Sequence, residues 1–255
     1  MTDQPQAKIR VEHLSLYYGD FRAIADLSLT IYSREIFGLM GPSKSGKSTF
    51  LRVLNRMCDL IPGARVEGGA WLDDEDLLAP DYDLVRLRRR VGLVLSKPVP
   101  LPRSILENLT LAPRLASKKD PGELAALAEA SLKTAQLWEE VKDRLQDSAL
   151  KLSGGQQQRL CLARTLAMEP EVILLDEPTS GLDPISTRKI EETLSQLKKH
   201  YTIILVSNNT KQIARATNRV GLLLMGSLVE VGDTQRVFTA PKDKRTDDYI
   251  CGRFG

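Results

Sequence analysis

A short run near the N-terminal end has residue types and a spacing suited to binding phosphate groups. Gly41, Gly46, Lys47 and Ser48 follow the pattern G-x-x-x-x-G-K-[ST]. In such a turn the backbone N–H groups surround phosphate oxygens, the lysine neutralises the β- and γ-phosphates, and the serine hydroxyl ligates Mg²⁺. A helix that begins near Lys47 adds the positive end of its dipole. The pattern therefore predicts a nucleotide phosphate loop.

A pair of carboxylates lies at the end of a predicted buried strand, in the segment EVILLDEP. Asp176 would reach the carboxyl edge of the sheet, where it can hold the Mg²⁺ shell. Glu177 follows at a place suited to a base or to a residue that orients water. The alternative is a strand that ends in a solvated acidic turn. The upstream phosphate loop favours the metal-binding interpretation.

Another predicted strand ends in amides rather than carboxylates. The segment TIILVSNNT is a short apolar, β-branched run that stops at Ser207 and Asn208. Such a run is typical of a strand buried on both faces of a parallel sheet. Ligands bind just beyond the carboxyl ends of these strands, so Asn208 is predicted at the edge of the active site. Its neutral amide cannot carry charge there.

A glycine-containing segment, LSGGQQQRL, is predicted to begin a helix. Ser153, Gly154 and Gly155 would present N–H groups at the start of that helix, which suits them to hold a γ-phosphate. A plain turn-to-helix junction would also use glycines.

Hydrophobic periodicity predicts the elements that position these residues. The first 35 residues alternate apolar and polar types, which indicates antiparallel strands with one solvent-exposed face. Four short apolar runs, EIFGLM, RRVGLVLS, EVILLDEP and TIILVS, indicate buried strands, whereas residues 104–168 have helical periodicity. A hairpin, VGLLLMGSLVEVGD, and a short helical tail follow. The pattern predicts an α/β core interrupted by one helical insertion.

Composition narrows the function classes. A net charge of +3 is too small to indicate a nucleic-acid-binding protein, and the basic run RLRRR at 86–90 is interpreted as a solvated helix face. No apolar stretch approaches the roughly 18 residues that span a bilayer, and the N-terminal end lacks the apolar segment of a signal peptide. We therefore expect a cytoplasmic protein, unless a partner recruits it elsewhere.

The segment LSGGQ resembles the signature of ATP-binding-cassette (ABC) ATPases, and other family motifs occur in the family's order. Tyr18, just before Gly19, matches the aromatic residue that stacks on adenine, and SGLD at 180–183 matches the loop that crosses the dimer interface. The resemblance implies a RecA-like P-loop ATPase core with an N-terminal antiparallel β subdomain and an inserted helical subdomain. The implied boundaries are a single domain over 8–255, with the core and β subdomain at 8–96 and 169–240, the helical subdomain at 97–168 and a tail at 241–255.

The resemblance also assigns roles to individual residues, with ATP and Mg²⁺ as cofactors. Ser48 and Asp176 would bind the metal, and Glu177, Asn208 and Ser96 would take part in hydrolysis. The residues assigned to the nucleotide are Tyr18, Gly41, Pro42, Ser43, Lys44, Ser45, Gly46, Lys47, Ser48, Thr49, Ser153, Gly154, Gly155, Gln156 and Asp183. In this family two copies dimerise head to tail, and each signature caps the ATP held by the partner's phosphate loop.

Long segments, including LRRRVGLVLSKPVPLPRSILENL and the tail PKDKRTDDYICGRFG, look like the ATPase subunits of bacterial phosphate-specific importers. This implies a dimer with itself or a paralogous ATPase, docked on two transmembrane permease subunits at the cytoplasmic face of the inner membrane. A periplasmic phosphate-binding protein would be an indirect partner, and nucleic acid would not be one. A soluble cassette protein that acts on DNA or ribosomes is an alternative class, but such proteins usually carry coiled-coil inserts or two tandem cassettes.

Three residues depart from the family pattern. Asn208 replaces a histidine, Ser96 replaces a glutamine, and Lys44 replaces a glycine. The first two losses surround the same γ-phosphate, which leads to the hypothesis that the chain binds Mg-ATP but hydrolyses it slowly at its own phosphate loop. The alternative is a catalytically weak or regulatory subunit of an asymmetric heterodimer. Lys44 either adds a solvated charge or strains a turn that requires a positive φ.

Overall fold

A computed structural model describes residues 6–117 and 120–253. Residues 118–119 and 254–255, which belong to the expected 8–255 domain, lie outside the described residues. The strands are β1 (Ala7–Tyr18), β2 (Phe21–Tyr32), β3 (Ile36–Met40), β4 (Ala64–Leu72), β5 (Glu75–Asp76), β6 (Val91–Val94), β7 (Val172–Asp176), β8 (Thr202–Val206), β9 (Arg219–Leu224) and β10 (Ser227–Asp233). The helices are α1 (Lys47–Leu54), α2 (Leu84–Arg90), α3 (Ile105–Ser117), α4 (Pro121–Thr134), α5 (Trp138–Val141), α6 (Gly154–Leu166), α7 (Pro184–Leu197), α8 (Thr210–Ala216), α9 (Thr234–Thr239) and α10 (Lys244–Ile250).

The N-terminal sheet is antiparallel and has the strand order β2-β1-β4-β5. The predicted pair β1 and β2 is confirmed, with the core side chains Leu14, Leu16 and Ile24 fully buried. Strand β4 was not predicted from the sequence. Its central Gly68 and Gly69 interrupt the alternation of side chains that marks a strand with one wet face.

The second sheet supplies the core and has the order β10-β9-β3-β8-β7-β6. Strands β9, β3, β8, β7 and β6 run parallel to their neighbours, and β10 closes the sheet as the antiparallel arm of the predicted hairpin. Every residue of β3, β7 and β8 is buried, as expected for apolar strands covered on both faces. The predicted α/β core is confirmed.

Helices α3 to α6 form the predicted helical insertion and have a hydrophobic cluster of their own. Leu109, Leu132, Leu137 and Leu160 are fully buried in this cluster, which is separate from the two clusters that line the sheets. No helix in the described ranges is both long and apolar enough to cross a membrane.

The interpretation of RLRRR as a solvated helix face is wrong for two of its arginines. Arg88 donates hydrogen bonds to the carbonyl of Asn55 at 3.4 Å and to that of Arg56 at 3.1 Å. Arg90 donates to Glu171 at 2.5 Å, and only 16% of its side chain is exposed. Helix α2 has only seven residues and packs across the edge of the sheet, so part of its polar side also faces protein.

Candidate functional site

The carboxyl edge of the parallel sheet brings the predicted catalytic segments to neighbouring strand ends. The phosphate loop follows β3, Asn208 follows β8, Asp176 ends β7 and Ser96 follows β6. These strands are adjacent in the order β3-β8-β7-β6. The backbone N–H of Glu177 also donates to the carbonyl of Val206 at 2.9 Å, which joins the ends of β7 and β8. The topology therefore confirms that Asn208 lies at this edge.

Lys47 is held inside the phosphate loop. Its side chain is almost fully buried, and Nζ donates to the carbonyl oxygens of Gly41 at 2.8 Å and Pro42 at 2.7 Å, and more distantly to Ser45 Oγ at 3.4 Å. Burial lowers the pKa of Lys47, although the nearby carboxylates of Glu177 and Asp176 oppose this effect. The ammonium group is thus oriented toward the interior of the loop, where phosphate oxygens can replace carbonyl oxygens as acceptors.

Two glycines of the loop are required by close contacts as well as by conformation. Gly41 has φ +149°, and a Cβ there would lie 2.1 Å from the carbonyl oxygen of Leu223. Gly46 has φ +104°, and a Cβ there would lie 2.8 Å from the carbonyl oxygen of Ala23. Both distances are too short for a side chain, so the backbone of the loop packs directly against β9 and β2.

Lys44 has a positive φ angle, which is the second of the two possibilities predicted for this residue from the sequence. Its φ is +64°, in the left-handed region, and its side chain is exposed to solvent. A residue with a Cβ costs roughly 1–2 kcal/mol in this region relative to its usual conformation. The side chain is therefore solvated, and the loop also carries backbone strain at this position.

Ser48 and Asp176 provide the oxygen ligands that fit a hard divalent cation. Ser48 Oγ donates to Asp176 Oδ1 at 2.7 Å, and Asp176 is buried. Hydroxyl and carboxylate oxygens are the donor set that Mg²⁺ prefers beside phosphate groups. Glu177 adjoins them in the left-handed region with φ +44°. Burial, reinforced by the charge of Asp176, raises the pKa of Glu177, while Lys47 opposes the rise.

A cavity of about 420 Å³ lies over the phosphate loop and is large enough for a nucleotide. It is lined by Tyr18, Phe21, Ala23, Ser43, Lys44, Ser45, Gly46, Lys47, Ser48, Thr49 and Glu177. Tyr18 packs against the core, and its buried hydroxyl has no hydrogen-bond partner within the described part of the chain. Phe21 was not predicted as a site residue, although its ring is 68% exposed. An aromatic residue at the beginning of a strand beside Gly19 was the available signal.

Tyr249 is a second residue that the sequence did not reveal. It lies on α10, is half-buried against the cluster around β3, and its hydroxyl accepts a hydrogen bond from the backbone N–H of Gly41. Burial raises its pKa, and the negative charge of Glu177 raises it further. The C-terminal helix therefore contacts the first residue of the phosphate loop.

Asn208 and Ser96 lie at the carboxyl edge of the sheet, and neither lines the nucleotide cavity. Both side chains are exposed, and neither has a hydrogen-bond partner among residues 6–117 and 120–253. The neighbouring residues have structural roles instead, because Ser207 Oγ accepts from the N–H of Asn209 at 3.1 Å and Asn209 caps α8. The structure thus brings Lys47, Ser48, Asp176 and Glu177 together, but not Ser96 and Asn208.

The predicted signature forms a separate surface at the start of α6. Ser153 Oγ accepts from the N–H of Gln156, and Gln156 Oε1 accepts from the N–H of Ser153, which forms a capping box. Ser153 and Gly154 are exposed, and none of the residues that line the nucleotide cavity comes from this turn. Asp183 caps α7 by accepting from the N–H of Ser186 at 2.9 Å.

A partly apolar groove lies between the sheet edge and the helical insertion, close to Ser96. The cavity measures about 320 Å³, and its lining includes Leu95, Ala112 and Arg164. Leu95 is 38% exposed, and the nearby Val99, whose carbonyl accepts from Arg164 at 3.1 Å, is 56% exposed. Exposed apolar side chains beside a groove are typical of a surface that contacts another protein.

Comparison with known proteins identifies related sequences over the whole chain. A family model described as ABC transporter matches residues 24–180. The chain is 53% identical over 245 residues to phosphate import ATP-binding protein PstB 3 of Streptococcus pneumoniae serotype 4, covering 96% of this chain and 98% of the relative. It is 50% identical over 261 residues to phosphate import ATP-binding protein PstB of Rubrobacter xylanophilus, covering 100% of this chain and 91% of the relative.

Solved structures share the fold at lower sequence identity. The cbiO1 subunit from Clostridium perfringens, part of the ABC transporter complex cbiONQ, superposes with a TM-score of 0.80 at 24% identity and 97% coverage of both chains. A bacterial Atm1-family ABC exporter with ATP bound superposes with a TM-score of 0.81 at 24% identity, over 100% of this chain and 44% of the exporter chain. These matches confirm the predicted fold class.

Proposed function

The chain belongs to the ABC transporter family of ATPases, and on that premise we propose that it is the ATP-binding and ATP-hydrolysing subunit of an importer of inorganic phosphate. The observation that carries the proposal is the identity of 50% or more, over nearly the full chain, to two proteins named phosphate import ATP-binding proteins. Phosphate itself would not touch this chain, because the ion would cross the membrane through permease subunits.

In the proposed site, each residue has a role that its position supports. Lys47 and the backbone N–H groups of residues 43–49 hold the phosphates, and the aromatic ring of Tyr18 stacks on adenine. Ser48 and Asp176 would hold Mg²⁺, which would supply positive charge beside the phosphates. Glu177 accepts a proton from the attacking water or orients it.

The signature acts in trans in this proposal. Ser153 and Gly154 are exposed on a surface that does not line the chain's own nucleotide cavity. Together with Gly155, Gln156 and the nearby Asp183, they would cap the nucleotide of a second ATPase subunit. The partner is a second copy of this chain or a paralogue.

Two transmembrane permease subunits are the proposed membrane partners, with a periplasmic phosphate-binding protein acting through them. The exposed apolar side chains of Leu95 and Val99 beside the groove support docking of a permease segment at this place. The chain would then work as a peripheral subunit at the cytoplasmic face of the cell membrane. Domain boundaries at 97 and 168 for the helical subdomain, and at 241 for the tail, belong to the same proposal.

We further propose that hydrolysis at the chain's own phosphate loop is slow. A neutral amide at Asn208 makes weaker hydrogen bonds to a γ-phosphate than a cationic imidazole, because charge-assisted bonds are roughly twice as strong. Ser96 is too short to reach the metal without an intervening water. Loss of one donor that acts in the transition state slows hydrolysis about 10²- to 10³-fold.

An asymmetric heterodimer is the second candidate, and the departures at Asn208 and Ser96 favour it, whereas the exposed signature fits a homodimer or a heterodimer. A chain with a slow site of its own can still complete the site of a more active paralogue, because Ser153 and Gly154 remain exposed. ATP would then turn over at one site and remain bound at the other.

The test of the transport proposal is reconstitution with the permease subunits in vesicles. ATP-dependent accumulation of radiolabelled phosphate, with no accumulation of sulfate, is the expected result. Glu177→Gln distinguishes the two candidates: a large loss of ATPase activity means that this chain's site contributes chemistry, and an unchanged rate assigns the chemistry to the paralogue. Failure to transport phosphate with either partner would contradict the proposed substrate.

A further inference from the structure

Glu140 on α5 supplies a carboxylate that joins the helical insertion to the core. Its Oε1 accepts from Arg159 Nη1 at 2.7 Å and from Lys189 Nζ at 2.5 Å. Its Oε2 accepts from Arg159 Nη2 at 3.0 Å and from Gln156 Nε2 at 2.9 Å. Glu140 therefore links the first turn of α6, a buried arginine of the same helix, and α7.

Glu140 and Arg159 form a bidentate ion pair that is largely shielded from solvent. Only 3% of the Arg159 side chain and 27% of the Glu140 side chain are exposed. Bidentate arginine–carboxylate pairs fix geometry because both partners are planar. The hydrogen bonds from Arg159 are the main reason that the pKa of Glu140 falls to about 2, so the carboxylate remains ionised at physiological pH.

Gln156 connects the pair between Glu140 and Arg159 to the signature turn. Its Nε2 donates to Glu140, while its Oε1 accepts from the backbone N–H of Ser153 at 3.0 Å. Both the amide nitrogen and the amide oxygen of Gln156 are therefore hydrogen-bonded. Because Ser153 is the N-cap of α6, the orientation of Gln156 also sets the direction of the Ser153 hydroxyl and of the first free N–H groups of the helix.

Lys189 connects Glu140 to the other segment predicted to lie at the dimer interface, the loop at 180–183. Lys189 lies in α7, whose N-cap is Asp183. The first turns of α6 and α7 also touch directly, since a Cβ on Gly155 would lie 2.2 Å from Ser186 Oγ. The two segments predicted to contact a second subunit therefore share one anchor.

We propose that Glu140 is a positioning residue that presents the signature turn and Asp183 in a fixed arrangement to the second ATPase subunit. The inference rests on the proposed function, in which the signature acts in trans. Glu140 does not line the chain's own nucleotide cavity, so its loss should weaken the association of two subunits around ATP and leave ATP binding to a single chain intact.

The experiment uses the full chain carrying Glu177→Gln, which slows hydrolysis and preserves the ATP-bound state. Glu140→Gln is added, and its matched control is Glu139→Gln, because Glu139 is adjacent, 77% exposed and, among the described residues, paired only with Lys142. ATP affinity of the dilute monomer is measured by equilibrium binding of a fluorescent ATP analogue. ATP-driven association is measured by light scattering after size-exclusion chromatography.

We expect Glu140→Gln to weaken ATP-driven association about 10- to 100-fold, the range for losing a hydrogen bond to a charged group. The dissociation constant for ATP should stay within about twofold of the parent value, and Glu139→Gln should match the parent in both measurements. Association equal to that of the control would overturn the inference. A parallel loss of monomer ATP binding would mean that Glu140→Gln disturbs the fold, and the Lys189→Gln variant then decides the inference.

A second variant is needed because Glu140→Gln leaves the buried Arg159 without its counter-charge, which can unfold the helical insertion. Lys189→Gln removes the link to α7 and keeps the pair between Glu140 and Arg159. We expect association to weaken about 2- to 5-fold, a small effect because Lys189 is one-third exposed. No change in this variant contradicts the inference. A parent chain that binds no ATP, or that binds ATP but associates neither with itself nor with a paralogue, contradicts the proposed function. A parent chain that binds ATP and associates, with no effect of the Glu140 or Lys189 substitution, contradicts the inference alone.

Discussion

At the scale of single residues, the phosphate loop combines an exposed charge with a strained backbone. Lys44 has φ +64° where glycine has no steric penalty, and no contact of its side chain explains the choice of residue. Of its neighbours in the loop, Gly41 and Gly46 also have positive φ, whereas Ser43 does not. The strain is therefore specific to Lys44.

Replacing Lys44 by glycine should stabilise the protein. We expect Lys44→Gly to raise the free energy of unfolding by about 0.5–1 kcal/mol, because the relief of left-handed strain exceeds the entropy that glycine adds to the unfolded chain. Urea denaturation at constant pH measures the change. Ser43→Gly is the matched control and should not stabilise the protein. Equal effects of both substitutions would show that Lys44 carries no strain.

Tyr249 allows a clean test of the contact between α10 and the phosphate loop. Tyr249→Phe keeps the ring in its apolar environment and removes only the hydroxyl that accepts from Gly41. Loss of a hydrogen bond worth about 0.5–1.5 kcal/mol should weaken ATP binding about 2- to 10-fold. Isothermal titration calorimetry with the non-hydrolysable analogue AMP-PNP measures the affinity.

The matched control for this substitution is Tyr201→Phe, since Tyr201 also packs partly buried against the same hydrophobic cluster. It precedes β8 at the opposite end of the strand from Asn208 and should leave ATP affinity unchanged. An affinity for Tyr249→Phe equal to that of the control would mean that the hydroxyl does not position the loop.

At the scale of elements, an ion-pair cluster joins the two sheets far from the nucleotide. Glu171, just before β7, accepts from Arg90 on α2 at 2.5 Å and from Lys8 on β1 at 2.6 Å. Lys8 also contacts Asp73 at 2.8 Å. The cluster explains why RLRRR is not simply a solvated face, since Arg90 is needed to neutralise carboxylates between elements.

The cluster predicts a sensitivity to acid. Its hydrogen bonds, led by those from Arg90, lower the pKa of Glu171 from 4.5 to about 2. A carboxylate with a lowered pKa stabilises the folded state above its unfolded pKa, and this contribution is lost as the pH falls from about 4.5 to about 2. Glu171→Gln should therefore lower the free energy of unfolding at pH 7 by about 1–2 kcal/mol, discounted for partial exposure.

The measurement is the free energy of unfolding of both proteins from pH 7 to pH 3. The difference between wild type and Glu171→Gln should shrink as the pH falls below about 4.5, because the unfolded state then takes up a proton that the folded Glu171 carboxylate does not bind until the pH approaches about 2. Glu129→Gln provides a control, since Glu129 forms an exposed pair with Lys133 on one helix. A difference that stays constant down to pH 3 would contradict the lowered pKa of Glu171 in the folded protein.

At the scale of the whole molecule, local patterns predicted most elements and only part of the site. The apolar runs that form β3, β7 and β8 are buried on both faces. Every residue in these strands must therefore suit a buried environment, which makes the runs recognisable in the sequence. The phosphate loop was predictable because its chemistry depends on consecutive residues.

Contacts between distant segments could not be predicted in the same way. Tyr249 reaches Gly41 only after the chain has formed both sheets, and no sequence spacing encodes that approach. The strand β4 was missed because glycines break its alternation, and Arg90 was misassigned because its partners Asp73, Glu75 and Glu171 come from two distant parts of the chain. The strand pattern predicted Asn208 at the edge of the site, and the resemblance to ABC ATPases added Ser96, but both side chains are exposed and neither lines the nucleotide cavity.

The most direct measurement is ATP binding and hydrolysis, determined together on the purified protein and on the double variant Ser96→Gln, Asn208→His. We predict that the wild-type protein binds Mg-ATP and turns it over slowly, and that the double variant binds equally well and turns over about 10²- to 10³-fold faster, as expected when a transition-state donor is restored. Equal turnover in the two proteins, or failure of the wild type to bind Mg-ATP, would contradict the proposal of an intact nucleotide site with weakened hydrolysis.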